Sequence, residues 1–140
     1  MRIVIDANRA IAALIKDSTT RQILFDWNFE FVAPDHILIE IREHEDRIIR
    51  ATGIAKDEFE ILLALIFERI TIIPETEYKK FLELIKDEIK DTKDLQYYAA
   101  CLASNAHGIW THDPDFLEQH KIKIFTNIDM LKLSRQAKSD

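Results

Sequence analysis

Three aspartates lie at or shortly after the ends of short apolar runs in this sequence. Asp113 and Asp115 lie in the stretch GIWTHDPDFLE, residues 108–118, and Asp6 follows the β-branched run at residues 2–5. Carboxylate oxygens are the ligands that hard divalent cations such as Mg²⁺ and Mn²⁺ prefer. Acids that end separate strands therefore raise the question whether they hold a metal ion.

Each of these acids also has a purely structural interpretation. Asp113 precedes a proline, which is typical of a helix N-cap followed by proline at the first helical position, and Asp115 would then interact favourably with the helix dipole. Asp6 can cap the helix that follows its strand, and Asp91 with Asp94 three residues later resembles a capping arrangement. Taken one at a time, the acids leave both interpretations open.

Short apolar strands alternate with helical patterns along the chain. We expect strands at residues 2–5, 30–33, 70–73, 109–111 and 122–125. We expect helices at residues 10–15, 19–27, 34–52, 56–69, 77–90, 91–106, 114–119 and 128–135. The alternation predicts the α/β class, as a three-layer α/β/α fold with a central, mainly parallel five-stranded sheet. Residues 1–135 are expected to form a single domain, and residues 136–140 a polar C-terminal tail.

A parallel sheet would bring four acids to one edge. Ligands of open parallel sheets bind beyond the carboxyl ends of the strands, where Asp6 and Asp113 are expected, and Asp94 lies in the first turn of the helix at 91–106. Glu40 lies in the apolar sequence HILIEI, so it is expected to be partly buried and to need a cation, a donor or a proton. Such acids repel each other by about 4 kcal/mol per pair at about 4 Å. Helix capping would not require the acids to lie this close together. The cluster therefore predicts metal-dependent phosphoryl chemistry.

The composition narrows the classes of function. The formal charge of −6 argues against a basic surface that binds nucleic acid by bulk electrostatics. Two glycines, Gly53 and Gly108, cannot form a dinucleotide fingerprint or a P-loop. The one cysteine, Cys101, lies in an Ala-rich segment, which favours a buried hydrophobe over a catalytic thiol and a reducing cytoplasm as location. Neither a signal peptide nor a membrane span is expected.

Three segments resemble the PIN-domain nucleases, which include the VapC-type toxins of prokaryotic toxin–antitoxin pairs. IVIDAN resembles the family's first strand followed by Asp, a small residue and Asn, and VAPDHILIEI is similar to a Pro followed six residues later by a helical Glu. DTKDLQYYAACLASNAHGIWTHDPDF resembles the family's most specific stretch: an Asp, an Ala-rich helix, a strand and Thr-x-Asp-x-Asp-Phe. The resemblance covers nearly the whole chain.

This resemblance implies a set of site residues. The implied catalytic and metal-binding tetrad consists of Asp6, Glu40, Asp94 and Asp113. Asp115 matches an accessory metal position, and Thr111 matches a hydroxyl position that orients a neighbouring carboxylate. Asp91 is also often acidic in the family, and it competes with Asp94 for the same role.

The resemblance further implies a Mg²⁺- or Mn²⁺-dependent endoribonuclease. RNA is the implied substrate, an antitoxin protein the implied partner in the toxin case, and a homodimer the implied assembly. The alternative is a catalytically idle PIN-like protein that binds RNA or serves as a scaffold.

The middle helix and the basic residues depart from the family pattern. The usual toxin is shorter in its middle region, where residues 52–69 here insert or extend an acidic and apolar helix. Burial against the domain's own sheet is favoured over a dimer face for its apolar residues Phe59, Leu62, Leu63, Ile66 and Phe67. No basic run with interleaved aromatics marks an RNA path. Ordinary solvated charges are expected at the nearest basic positions, Arg9, Arg42, Lys93, His112 and Arg135.

Overall fold

The computed structural model describes residues 1–89, 91–118 and 121–139. Within them the chain forms five strands: β1 (Arg2–Ile5), β2 (Glu30–Pro34), β3 (Ile70–Ile73), β4 (Gly108–Trp110) and β5 (Lys123–Phe125). They make one sheet in the order β3-β2-β1-β4-β5, and every neighbouring pair is parallel. The predicted parallel five-stranded sheet is confirmed.

The central strand β1 is buried on both faces. Ile3, Val4 and Ile5 have no exposed surface, as expected for a strand of a parallel sheet that helices cover on both sides. The strands β4 and β5 approach each other closely at Gly108. A Cβ at this position would lie 2.4 Å from the carbonyl oxygen of Lys123.

Helices surround the sheet. In the described residues they are α1 (Ala7–Leu14), α2 (Ser18–Leu24), α3 (His36–Glu43), α4 (Glu45–Thr52), α5 (Lys56–Phe67), α6 (Glu75–Ile85), α7 (Thr92–Ser104) and α8 (Asn127–Ser139), with a 3-10 helix at Pro114–Glu118. The helix α7 contacts β1, β2 and β4, whereas α1 contacts α2, α3 and α5. This arrangement agrees with the predicted three-layer α/β/α fold.

The helix predicted at residues 34–52 is two helices. Pro34 is the last residue of β2, where it pairs with Ile73 of β3, and does not open the helix. The backbone leaves helical geometry at His44, which has φ −104° and ψ 7°, and the two acids that follow favour the start of a new helix. The apolar face predicted for this segment is nevertheless fully buried at Ile37, Ile41 and Ile48.

Other boundaries differ by a few residues. The helix α6 ends at Ile85 rather than at residue 90, and α8 extends to Ser139 rather than ending at residue 135. Lys90 and Gln119, which end two predicted helices, and Asp140 of the predicted tail lie outside the described residues. The part of the chain that the structure describes contains no helix long and apolar enough to cross a membrane.

The helix α5 packs against its own domain, as the sequence favoured. Phe59, Leu63 and Ile66 are buried, and Leu62 and Phe67 pack half-buried against the core.

Candidate metal centre

The strand order reverses between β1 and β4, and the acids lie at the carboxyl ends of these two strands. The chain proceeds from β1 outward to β2 and β3, and from β4 outward to β5 in the opposite direction. This geometry leaves a crevice beyond the ends of β1 and β4, where open parallel sheets bind their ligands. Asp6 follows β1, and Asp113 follows β4 by three residues.

Asp6 is buried, and both of its carboxylate oxygens accept hydrogen bonds. It is 3% exposed. It caps α1, because its Oδ1 accepts from the Arg9 backbone N–H at 2.9 Å. Its Oδ2 accepts from the Thr111 hydroxyl. The Thr111 hydroxyl oxygen in turn accepts from the Asp113 N–H at 3.0 Å, so one threonine links the turns that carry both acids.

Asp113 caps the 3-10 helix and also lines the crevice. Its Oδ1 accepts from the Asp115 N–H at 3.0 Å at the start of the 3-10 helix. The same half-buried side chain lines the crevice beside Asp6. A local cap and a position in the acid cleft therefore coexist in one residue.

Glu40 reaches the crevice from α3. Its Oε1 accepts from the Tyr97 hydroxyl at 2.9 Å, and the Nε2 of His36 lies 3.4 Å from the same oxygen. The side chain is 23% exposed, which confirms the partial burial expected from its apolar sequence context.

Asp91 and Asp94 lie at the start of α7 but in different environments. Asp91 is the N-cap, and its Oδ1 accepts from the Lys93 N–H at 2.9 Å. Asp94 is buried and 7% exposed. One carboxylate oxygen from each of Asp91, Asp94 and Asp115 lies within 4.8 Å of the other two.

A single cleft of about 190 Å³ contains the whole expected tetrad. Its acidic lining residues are Asp6, Glu40, Asp91, Asp94 and Asp113. The most compact trio, however, joins Asp94 to Asp91 and Asp115 rather than to the other tetrad members. The Thr111 hydroxyl donates to Asp6 and the Tyr97 hydroxyl donates to Glu40, so these two acids are oriented by hydroxyl groups.

Burial and crowding make ionisation of these acids unfavourable. Burial, the charge of Asp91 and then the charges of Asp113, Asp115 and Asp6 together raise the pKa of Asp94 from 3.8 to about 7. Burial raises the pKa of Asp6 to about 6, although the Thr111 hydroxyl and the Arg9 N–H oppose the shift. Burial likewise raises the pKa of Glu40, against the lowering effect of Tyr97.

The donor set fits a hard divalent cation. Every acid in the cleft offers carboxylate oxygen, the donor type that Mg²⁺ and Mn²⁺ select. A cation between the acids would also relieve the repulsion that raises their pKa values.

Sequence reasoning missed Tyr97. This buried tyrosine lines the cleft and donates to Glu40. The available signal was its spacing, because Tyr97 lies three residues after Asp94 and residues at that separation share a helix face.

A family model described as PIN domain matches residues 4–131. No curated protein matches the chain. The matched segment begins in β1, contains the whole acid cleft and ends within α8, and on this ground the chain belongs to the PIN-domain family.

Proposed function

We propose that this protein is a Mg²⁺- or Mn²⁺-dependent endoribonuclease that hydrolyses RNA phosphodiester bonds at the acid cleft. PIN domains are generally nucleases. The observation that carries the proposal is the convergence of Asp6, Glu40, Asp94 and Asp113 from four separate elements. A helix cap needs only its own helix, so capping does not account for this convergence.

The four tetrad acids would hold the metal, with Asp115 as an accessory ligand. A bound divalent ion supplies positive charge that stabilises the phosphate in the transition state and lowers the pKa of water. Thr111 orients Asp6 through its hydroxyl. Tyr97 orients Glu40 through Oε1, and within the described residues Oε2 has no hydrogen-bond donor, so Oε2 is available to take a proton from the attacking water.

The one thiol of the chain is not in a state to act as a nucleophile. Cys101 is 4% exposed, and burial raises its pKa to about 12. A thiol in this state is a poor nucleophile. The sequence-based interpretation of Cys101 as a buried hydrophobe is consistent with this environment.

The experiment is RNA cleavage by the purified protein, without added metal and with Mg²⁺ or Mn²⁺. We expect cleavage only with a divalent ion, and we expect Asp94→Asn to reduce it by at least about 100-fold because a metal ligand is lost. Asp46→Asn is the matched control, since Asp46 is an exposed acid in the first turn of α4 outside the cleft. Equal cleavage by wild type and Asp94→Asn, or none by wild type on pooled cellular RNA, contradicts the proposal and favours the idle RNA-binding alternative.

The finer proposal is a toxin role with an antitoxin partner, in a homodimer. Its support is the likeness of the three motif segments to the PIN-domain nucleases, a family that includes the VapC-type toxins. The helix α5 adds a surface for self-association, because Ile61 is 61% exposed and Leu65, one turn later, is 45% exposed. Growth arrest on expression of the wild type but not of Asp94→Asn tests the toxin role, and the sedimentation coefficient of Ile61→Glu tests the dimer.

A further inference from the structure

A second groove adjoins the acid cleft and has a different charge. It has a volume of about 490 Å³, and its lining includes Asn8, Arg9, Arg47, His112 and Asp113. Asn8 and Asp113 also line the acid cleft, so the two cavities share a wall. In a chain with a formal charge of −6, two arginines beside the acids are a local exception to the overall charge.

The basic groups of this groove have hydrogen-bonding capacity that the protein does not use. Among the described residues the buried Nε of Arg9 has no hydrogen-bond partner, and its Nη1 makes a long contact of 3.4 Å to the Thr20 hydroxyl. Arg47 is exposed on α4 and makes no ion pair with any described residue. A buried donor without an acceptor is costly, which points to a ligand that supplies one.

His112 adds a donor of fixed orientation. The Asn127 backbone N–H donates to its Nε2 at 3.0 Å. A ring that accepts at Nε2 carries its proton on Nδ1, so the imidazole of His112 offers an N–H donor. Ile15, which is 36% exposed, belongs to the apolar part of the same groove, where a base or a ribose can pack.

We propose that this groove binds a phosphodiester of the RNA strand next to the one that is cut, with Arg47 and Arg9 as its main cationic contacts. The inference rests on the proposed nuclease function, because an uncut part of the strand must leave the acid cleft along one of its walls. Arginine suits this role since its planar fork matches phosphate oxygens, and such contacts position the strand without reading its sequence.

The test is binding of a fluorescent single-stranded oligoribonucleotide to protein carrying Asp94→Asn, so that binding is measured without cleavage. We expect Arg47→Ala to weaken binding roughly threefold to tenfold, and to reduce the slope of log K against log salt by about 0.7, the value for one phosphate contact on a single strand. Arg50→Ala is the matched control. Arg50 is exposed in the same helix, carries the same charge and does not line the groove.

The outcomes separate the two proposals. Wild-type cleavage combined with equal binding and equal salt slopes for Arg47→Ala and Arg50→Ala overturns the groove assignment alone. A selective effect of Arg47→Ala without any wild-type cleavage supports RNA binding by the groove and contradicts the nuclease function on which its place beside a cut bond depends. If Arg47→Ala instead weakens binding of a polyglutamate peptide and leaves RNA binding unchanged, the groove belongs to an acidic protein partner and the proposal is wrong.

Discussion

Two hydroxyl groups set the orientation of the acids at the level of single residues. Thr111 donates to Asp6, and Tyr97 donates to Glu40 at 2.9 Å. Thr111 was predictable, because it lies inside the Thr-x-Asp-x-Asp-Phe stretch that resembles the family. Tyr97 was not predicted, because its contact joins residues 57 positions apart and depends on how α3 and α7 meet over the sheet.

We predict that Tyr97→Phe impairs the site by releasing Glu40. Loss of a partner that orients a metal ligand costs about 10- to 100-fold in activity or metal affinity. The Tyr97 hydroxyl also lowers the pKa of Glu40, so its removal should move the acid limb of the pH–activity profile to higher pH. The measurement is kcat/KM against pH.

Tyr98→Phe is the control for this prediction. Tyr98 is the next residue of α7, is equally buried and donates to the Phe116 carbonyl rather than to an acid. The positioning role of Tyr97 is wrong if both variants lose the same activity with unshifted pH profiles.

At the level of elements, the strands were easier to predict than the helices. β1 and β3 have the predicted bounds, because each is a short β-branched run that ends at an Asp or a Pro. The break between α3 and α4 was not predicted, since the buried isoleucines keep helical spacing across it and only the backbone at His44 departs. The trio of Asp91, Asp94 and Asp115 was not predicted either, because it depends on where α7 meets the turn after β4.

The start of α7 gives a prediction that distinguishes the role of Asp91 from the role of Asp94. Asp91→Ala removes the acceptor for the Lys93 N–H, and the loss of an N-cap should lower the free energy of unfolding by about 1 kcal/mol. Asp91→Asn should restore that stability, because Asn caps helices as well as Asp does. Urea unfolding at about pH 5, where Asp94 is largely protonated and repulsion from Asp91 is weak, makes the comparison clean.

Cleavage by the same variants completes this comparison. We expect both Asp91 variants to retain most of the metal-dependent cleavage that Asp94→Asn loses. If Asp91→Ala is as stable as the wild type and as inactive as Asp94→Asn, then Asp91 is the metal ligand and Asp94 is not.

For the whole molecule, the central claim is that buried carboxylates are kept close together because a divalent ion stabilises them. In the folded protein without metal, the pKa of Asp6 is about 6 and that of Asp94 is about 7, whereas the ordinary value is 3.8. At pH values between the ordinary pKa and the raised pKa values, the folded state binds more protons than the unfolded state. The stability of the metal-free protein should therefore fall as the pH rises from about 4 to about 7.

The measurement that tests this claim most directly is thermal unfolding at about pH 5 and about pH 8, with a chelator and with Mn²⁺. We predict that the chelated protein has a lower Tm at about pH 8 than at about pH 5, that Mn²⁺ raises the Tm at about pH 8, and that Asp94→Asn removes most of both effects. The same Tm at both pH values, combined with no response to Mn²⁺ in the wild type, would contradict the account.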